Sequence, residues 1–175
     1  MLGRFLEPDK SVMAARGLYD ALVARARKPI FHTKFAVADT IDGRFDLLTL
    51  HAFLVMEALK SSGPAGAKLG TALASVIFAG FDDALRELGV GDTGISRRMK
   101  AMGGAFYGRL QAYGSAESES ALTATIMRNL YRGDDMHRRE AGALAHYIRM
   151  AGQALLAQSG ALLQGGCDFG PLPEF

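Results

Sequence analysis

Residues 46–60 read DLLTLHAFLVMEALK. Leu47, Leu48, Leu50, Phe53, Leu54, Val55, Met56 and Leu59 surround most of the circumference of a helix, so this segment is expected to be buried on several sides. It should form the spine of the core. On either side of it apolar residues keep helical spacing, and no stretch sustains an alternation of period two, which predicts an all-α chain.

Upstream, Ser11 is placed to cap a helix carrying Met13, Leu18 and Leu22 that ends before Pro29. Residues 30–37, with Phe31, Thr33 and Phe35, suit either a helical turn or an extended piece. Downstream, residues 61–68 (SSGPAGAK) read as a turn-rich, mobile connection. Leu69, Leu73, Val76, Ile77, Phe81, Ala84, Leu85 and Leu88 then form one helical stripe, which Gly89 stops. Ile95, Met99, Met102, Phe106, Leu110 and Tyr113 mark the next helix, closed by Gly114. Ser115 or Ser118 caps a helix with Leu122, Ile126 and Leu130 that Gly133 ends. Asp134 and Asp135 open a last long helix bearing Leu144, Ile148 and Leu155. The expected fold is a single-domain bundle of about six or seven helices. Residues 1–10 form an N-terminal arm, 11–160 the helical domain and 161–175 an irregular tail.

Composition narrows the function. The 175 residues are 49% apolar and 22% charged, which excludes a disordered or supercharged chain. A lone cysteine, Cys167, excludes an internal disulfide and a cysteine-based zinc site, and points to a reducing compartment. A net charge of +2 is too mild to imply nucleic acid. Residues 1–10 hold no signal-peptide core, so a cytoplasmic chain is expected. The longest strongly apolar, charge-free stretch lies between Lys68 and Asp82, short of the ~18 residues of a membrane span, so membrane contact should be peripheral.

Catalytic motifs find little support. Gly89-Val-Gly-Asp-Thr-Gly94 matches a dinucleotide fingerprint but follows a helix instead of a strand, and reads better as a helix-to-helix turn. Gly63-Pro-Ala-Gly-Ala-Lys68 lacks one spacer and the magnesium-binding hydroxyl of a phosphate loop. Asp168-Phe-Gly170 stands without the other parts of a kinase. The histidines His32, His51, His137 and His146 offer no metal-binding spacing. Inside the spine, His51 reads first as a satisfied core histidine and second as a catalytic one. Asp39, Asp42 and Asp46 read as turn and helix-start residues before they read as a carboxylate cluster.

Residues 95–113 say more. Opposite their large apolar stripe, Ala101, Gly104, Ala105, Gly108 and Ala112 share one face, so the helix has two nonpolar sides. Each interior glycine costs about 1 kcal/mol of helix propensity relative to alanine, and close approach of another helix would offset that cost. That other helix belongs either to the same domain or to a partner received in a groove. Arg97, Arg98 and Lys100 begin this helix. They form a solvated face or a contact for anionic lipid or ribosomal RNA phosphate. Eight methionines supply adaptable packing, chiefly for the core.

Several blocks in order resemble the ubiquinol-cytochrome c chaperone family: residues 39–47 (DTIDGRFDL) running into 50–54, residues 81–92 (FDDALRELGVGD), Lys100 with Phe106-Tyr-Gly-Arg109 and Tyr113, and Arg128-Asn-Leu-Tyr131. The resemblance implies an all-helical, non-enzymatic assembly factor of respiratory complex III, without cofactor, that binds newly made cytochrome b. The lack of a targeting segment departs from the eukaryotic pattern and implies a bacterial member, cytoplasmic and peripheral to the inner membrane. With the residue reading, this gives a groove near Gly104 and Gly108, with Tyr107 and the aromatics Phe31 and Phe35, that shields a cytochrome b segment. The basic residues would hold the protein near the ribosome or the anionic inner-membrane surface, with no role for DNA. Two alternatives stand beside it: a helical enzyme or cofactor protein using His51 with Asp46 or Asp83, and a basic RNA-binding module.

Overall fold

The structure, a computed structural model, describes residues 10–174, and the expected N-terminal arm lies outside them except for Lys10. Eight α-helices follow in order: α1 (Lys10–Ala26), α2 (Ile30–Thr33), α3 (Ile41–Lys60), α4 (Gly63–Glu87), α5 (Asp92–Gly114), α6 (Glu119–Leu130), α7 (Arg138–Leu156) and α8 (Ser159–Leu163). A single 3-10 turn, Asp135–His137, leads into α7. No strand occurs among the described residues. The all-α bundle expected from the sequence is the observed architecture.

α3 is the spine. It packs against α1, α4, α5 and α7, and Leu47, Leu50, Ala52, Val55, Ala58 and Leu59 are almost wholly buried on its several sides. Its start is fixed by Thr40, whose Oγ1 accepts the Gly43 N–H at 3.1 Å. Gly43 is itself buried, and a Cβ there would collide with the Ala38 carbonyl oxygen. Only glycine lets the preceding chain cross so close to the helix.

The expected mobile connection at residues 61–68 is not a loop. Only Ser61 and Ser62 separate α3 from α4, because Pro64 sits in the first turn of α4, where a missing N–H costs nothing. Gly66 then faces the Leu59 carbonyl so closely that a Cβ would not fit. The result is a 25-residue helix whose length and mean hydropathy of 1.3 would by themselves suffice to cross a bilayer. Leu69, Leu73, Ile77 and Leu85 are instead buried in the domain, the pattern of a one-sided core helix.

Ser118 is the α6 cap, its Oγ accepting the Ala121 N–H at 3.1 Å. Asp134 caps the 3-10 turn. The C-terminal segment is less irregular than expected: α8 runs through Leu163, and Leu162 is buried. Beyond it, Gln158 exchanges two hydrogen bonds with the Asp168 backbone, at 2.8 and 3.0 Å. The Arg25 guanidinium donates to the carbonyls of Gly170, at 3.0 Å, and Pro171. Phe169 is thereby pinned into the core.

Candidate functional site

α5 carries the residues singled out by sequence, and the structure distributes them around its circumference. Gly104 and Gly108 form an open ridge: both are exposed, and a Cβ at either would meet nothing within 4 Å. At these two positions the small-residue face is therefore not closed by a neighbouring helix of the same domain, whereas Ala105 is half-buried against the core. Arg97 and Lys100 lie exposed toward the N-terminal end of α5, and Ala101 is exposed as well.

On one flank of the ridge Tyr107, 55% exposed, borders a groove of about 750 Å³. Its floor is the small-residue side of α4, namely Gly63, Ala67, Gly70, Thr71, Ala74 and Ser75, walled by Met56 and Phe78. Sequence reasoning missed this floor. The spacing of Gly63, Ala67, Gly70 and Ala74 by four, three and four residues was the available signal, hidden because Gly and Pro there read as turn residues.

On the other flank Ala101 and Ala105 line a second cavity of about 590 Å³, together with Arg98, Arg109, Arg132 and Asp46. Asp46, expected as a helix-start residue, is a wholly buried ion-pair centre. One oxygen meets Arg109 Nη2 at 2.9 Å and the other meets Arg132 Nη2 at 2.7 Å. Burial raises its carboxyl above the ordinary carboxylate value, opposed by the two guanidiniums. Arg109 also stacks over the Phe45 ring, 5.4 Å from its centroid. Phe45 and Asp46 come from the first block of the resemblance, Leu85 from the second, Arg109 from the third, and Arg132 follows the fourth. Blocks far apart in sequence thus converge on one place.

Phe31 and Phe35, expected beside the groove, are corrected by the structure. Both are wholly buried, Phe31 in the short α2 and Phe35 just beyond it, as core residues rather than lining residues. The Phe31 ring packs on His51 and Tyr147, and the Phe35 carbonyl accepts the Tyr131 hydroxyl at 2.7 Å.

His51 is equally inaccessible. Its Nδ1–H donates to the Leu47 carbonyl at 2.7 Å, since a carbonyl only accepts. That leaves Nε2 to accept the Tyr147 hydroxyl at 3.0 Å, and Tyr147 Oη in turn accepts Arg25 Nε at 2.8 Å. Phe31 and Phe169 close on the ring edge-on, and burial lowers the imidazole pKa to about 4. It is a neutral, satisfied core histidine. Asp46 is committed to Arg109 and Arg132, and Asp83 is exposed on α4, so no acid–base pair with His51 forms. Burial pushes the Cys167 thiol up to about 12, the opposite of an activated nucleophile. No cluster of metal-ligating side chains occurs among the described residues.

The family described as ubiquinol-cytochrome C chaperone matches residues 33–169. The chain belongs to this family. Within the ubiquinol-cytochrome C chaperone family, it is 25% identical over 169 residues to ubiquinol-cytochrome-c reductase complex assembly factor 1 of Xenopus laevis, spanning 94% of this chain and 84% of that protein. It is 23% identical over 169 residues to the Mus musculus assembly factor 1, of which it spans 57%. The fold is shared with the crystal structure of the Cbp3 homolog from Brucella abortus, at TM-score 0.80 and 34% identity over 91% of this chain and 90% of that one. The names within this chaperone family describe assembly factors rather than enzymes.

Proposed function

We infer that this chaperone-family protein assists assembly of respiratory complex III by holding newly made cytochrome b against the α4–α5 groove. The observation that carries the reading is the open glycine ridge, Gly104 and Gly108, running beside a groove floored by glycine, alanine and small hydroxyl residues. Small residues on both helices let the backbone of an incoming apolar helix approach closely, as in helix pairs within membranes. Burying its apolar surface supplies roughly 25 cal/mol per Å², from which the costs of association are subtracted.

Arg97, Arg98 and Lys100 lie at one end of the same helix. They are placed to hold the complex against anionic lipid of the bacterial inner membrane or against ribosomal RNA phosphate. In this reading the protein works at the cytoplasmic face of the membrane, where a nascent membrane subunit emerges.

The test is Gly104→Leu. Nothing lies within 4 Å of a Cβ at this position, so the thermal midpoint should hold or rise slightly, while complex III assembly in cells should fall severely. Normal assembly with Gly104→Leu would refute the groove. Collapse of the fold would assign the glycine to internal packing.

A further inference from the structure

Two cavities meet at the N-terminal half of α3. The arginine-lined one, about 590 Å³, lies next to a second of about 450 Å³ between α1, α3 and α4, with Val23, Leu48 and Phe81 in its wall. Ile41, Phe45, Leu85 and Met102 border both. Each volume falls in the range of small-molecule sites, roughly 300–1,000 Å³.

The charges in the first cavity do not balance. Arg98, Arg109 and Arg132 face two carboxylates, the buried Asp46 and the exposed Asp42. Asp46 is ion-paired with Arg109 and Arg132, only its Oδ2 accepting a hydrogen bond, and Arg98 makes no ion pair with any described residue. Arg109 Nε and Asp46 Oδ1 are both buried without a hydrogen-bond partner among the described residues. A buried donor without an acceptor is unfavourable, and an incoming anion oxygen is the group that would relieve it. The second cavity holds no buried charge: Val23, Leu48 and Phe81 are in its wall, and its charged residues, Arg27, Arg44 and Glu87, are exposed.

We propose that the two adjacent cavities bind one anionic phospholipid, with its phosphate among Arg98, Arg109 and Arg132 and an acyl chain passing Phe45 and Met102 into the second cavity. Charge complementarity selects the headgroup end, and the apolar cavity on the other side of the four shared wall residues selects an amphiphile over a free ion. Such a site would let the chaperone engage single lipid molecules at the membrane surface, on the flank of α5 opposite the α4 groove.

The test is calorimetric titration of the full chain with dihexanoyl-phosphatidylglycerol below its micelle concentration, with dihexanoyl-phosphatidylcholine, and with inorganic phosphate. Phosphatidylglycerol should bind saturably, and the other two on the order of tenfold more weakly, the equivalent of one charge-assisted contact. Arg98→Ala, which removes an exposed side chain, should weaken the anionic lipid by a similar factor. Ala84→Trp, which fills the apolar cavity from its exposed side, should weaken the lipid and leave phosphate unchanged. Absence of saturable lipid binding would overturn the proposal. So would inorganic phosphate binding as tightly as the lipid, which makes it an anion site only, or lipid binding indifferent to both variants. Circular dichroism melts establish that each variant is folded.

Discussion

Asp46 and Arg109 meet at 2.9 Å across the interface of α3 and α5, with the carboxylate wholly withdrawn from solvent and the guanidinium only 17% exposed. Arg132, at the end of α6, closes the other side at 2.7 Å and is half exposed. One buried carboxylate therefore ties three helices together. Removing it would strand the Arg109 charge in a low-dielectric site, which typically costs about 3 kcal/mol. Asp46→Ala should lower the urea midpoint accordingly, whereas Arg132→Ala should cost about 1 kcal/mol because its charge is shared with water. Equal losses for the two variants would contradict this account of the triad.

The buried His51 makes stability depend on pH. Its folded pKa of about 4 lies below the ordinary 6.5, so between these values the unfolded chain binds the proton that the fold excludes. Stability should be full above about pH 6.5 and be lost as pH falls toward 4, by about 3 kcal/mol in all. Asp46, with its carboxyl raised by burial, acts in the opposite sense at the acid end of that range. Urea titrations at several pH values should show the decline, and His51→Gln should flatten it. An unchanged slope in that variant would assign the decline to other groups.

The C-terminal segment should behave as part of the core. Phe169 is 4% exposed, sits edge-on to His51 at 5.3 Å, and lies under the Arg25 guanidinium. Phe169→Ala should cost about 3 kcal/mol, and removal of residues 166–175 at least as much. A thermal midpoint unmoved by either change would show the segment to be dispensable for stability.

The spine helix was legible in the sequence because its apolar residues leave no polar stripe, a pattern that only burial on several sides satisfies. The second nonpolar side of α5 was legible for the same reason, through the spacing of Ala101, Gly104 and Gly108. The role of Asp46 was hidden because its partners Arg109 and Arg132 lie far downstream, on helices whose mutual placement no local pattern encodes. Phe31 and Phe35 were misplaced for a related reason: a four-residue helix and the turn after it carry no periodicity, and the burial of Phe31 is decided by its distant partners His51 and Tyr147, while the Phe35 carbonyl meets Tyr131. The floor of the α4 groove was obscured by Gly63 and Pro64, which break helices in the interior and yet begin this one.

The most direct measurement is site-specific photo-crosslinking in respiring cells, with the photoreactive residue at Tyr107, beside the groove, and for comparison at the exposed Met150 on α7. The account predicts capture of newly synthesised cytochrome b from Tyr107 and none from Met150. Folded protein at normal levels that yields no cytochrome b from Tyr107, or yields it equally from both positions, would contradict it.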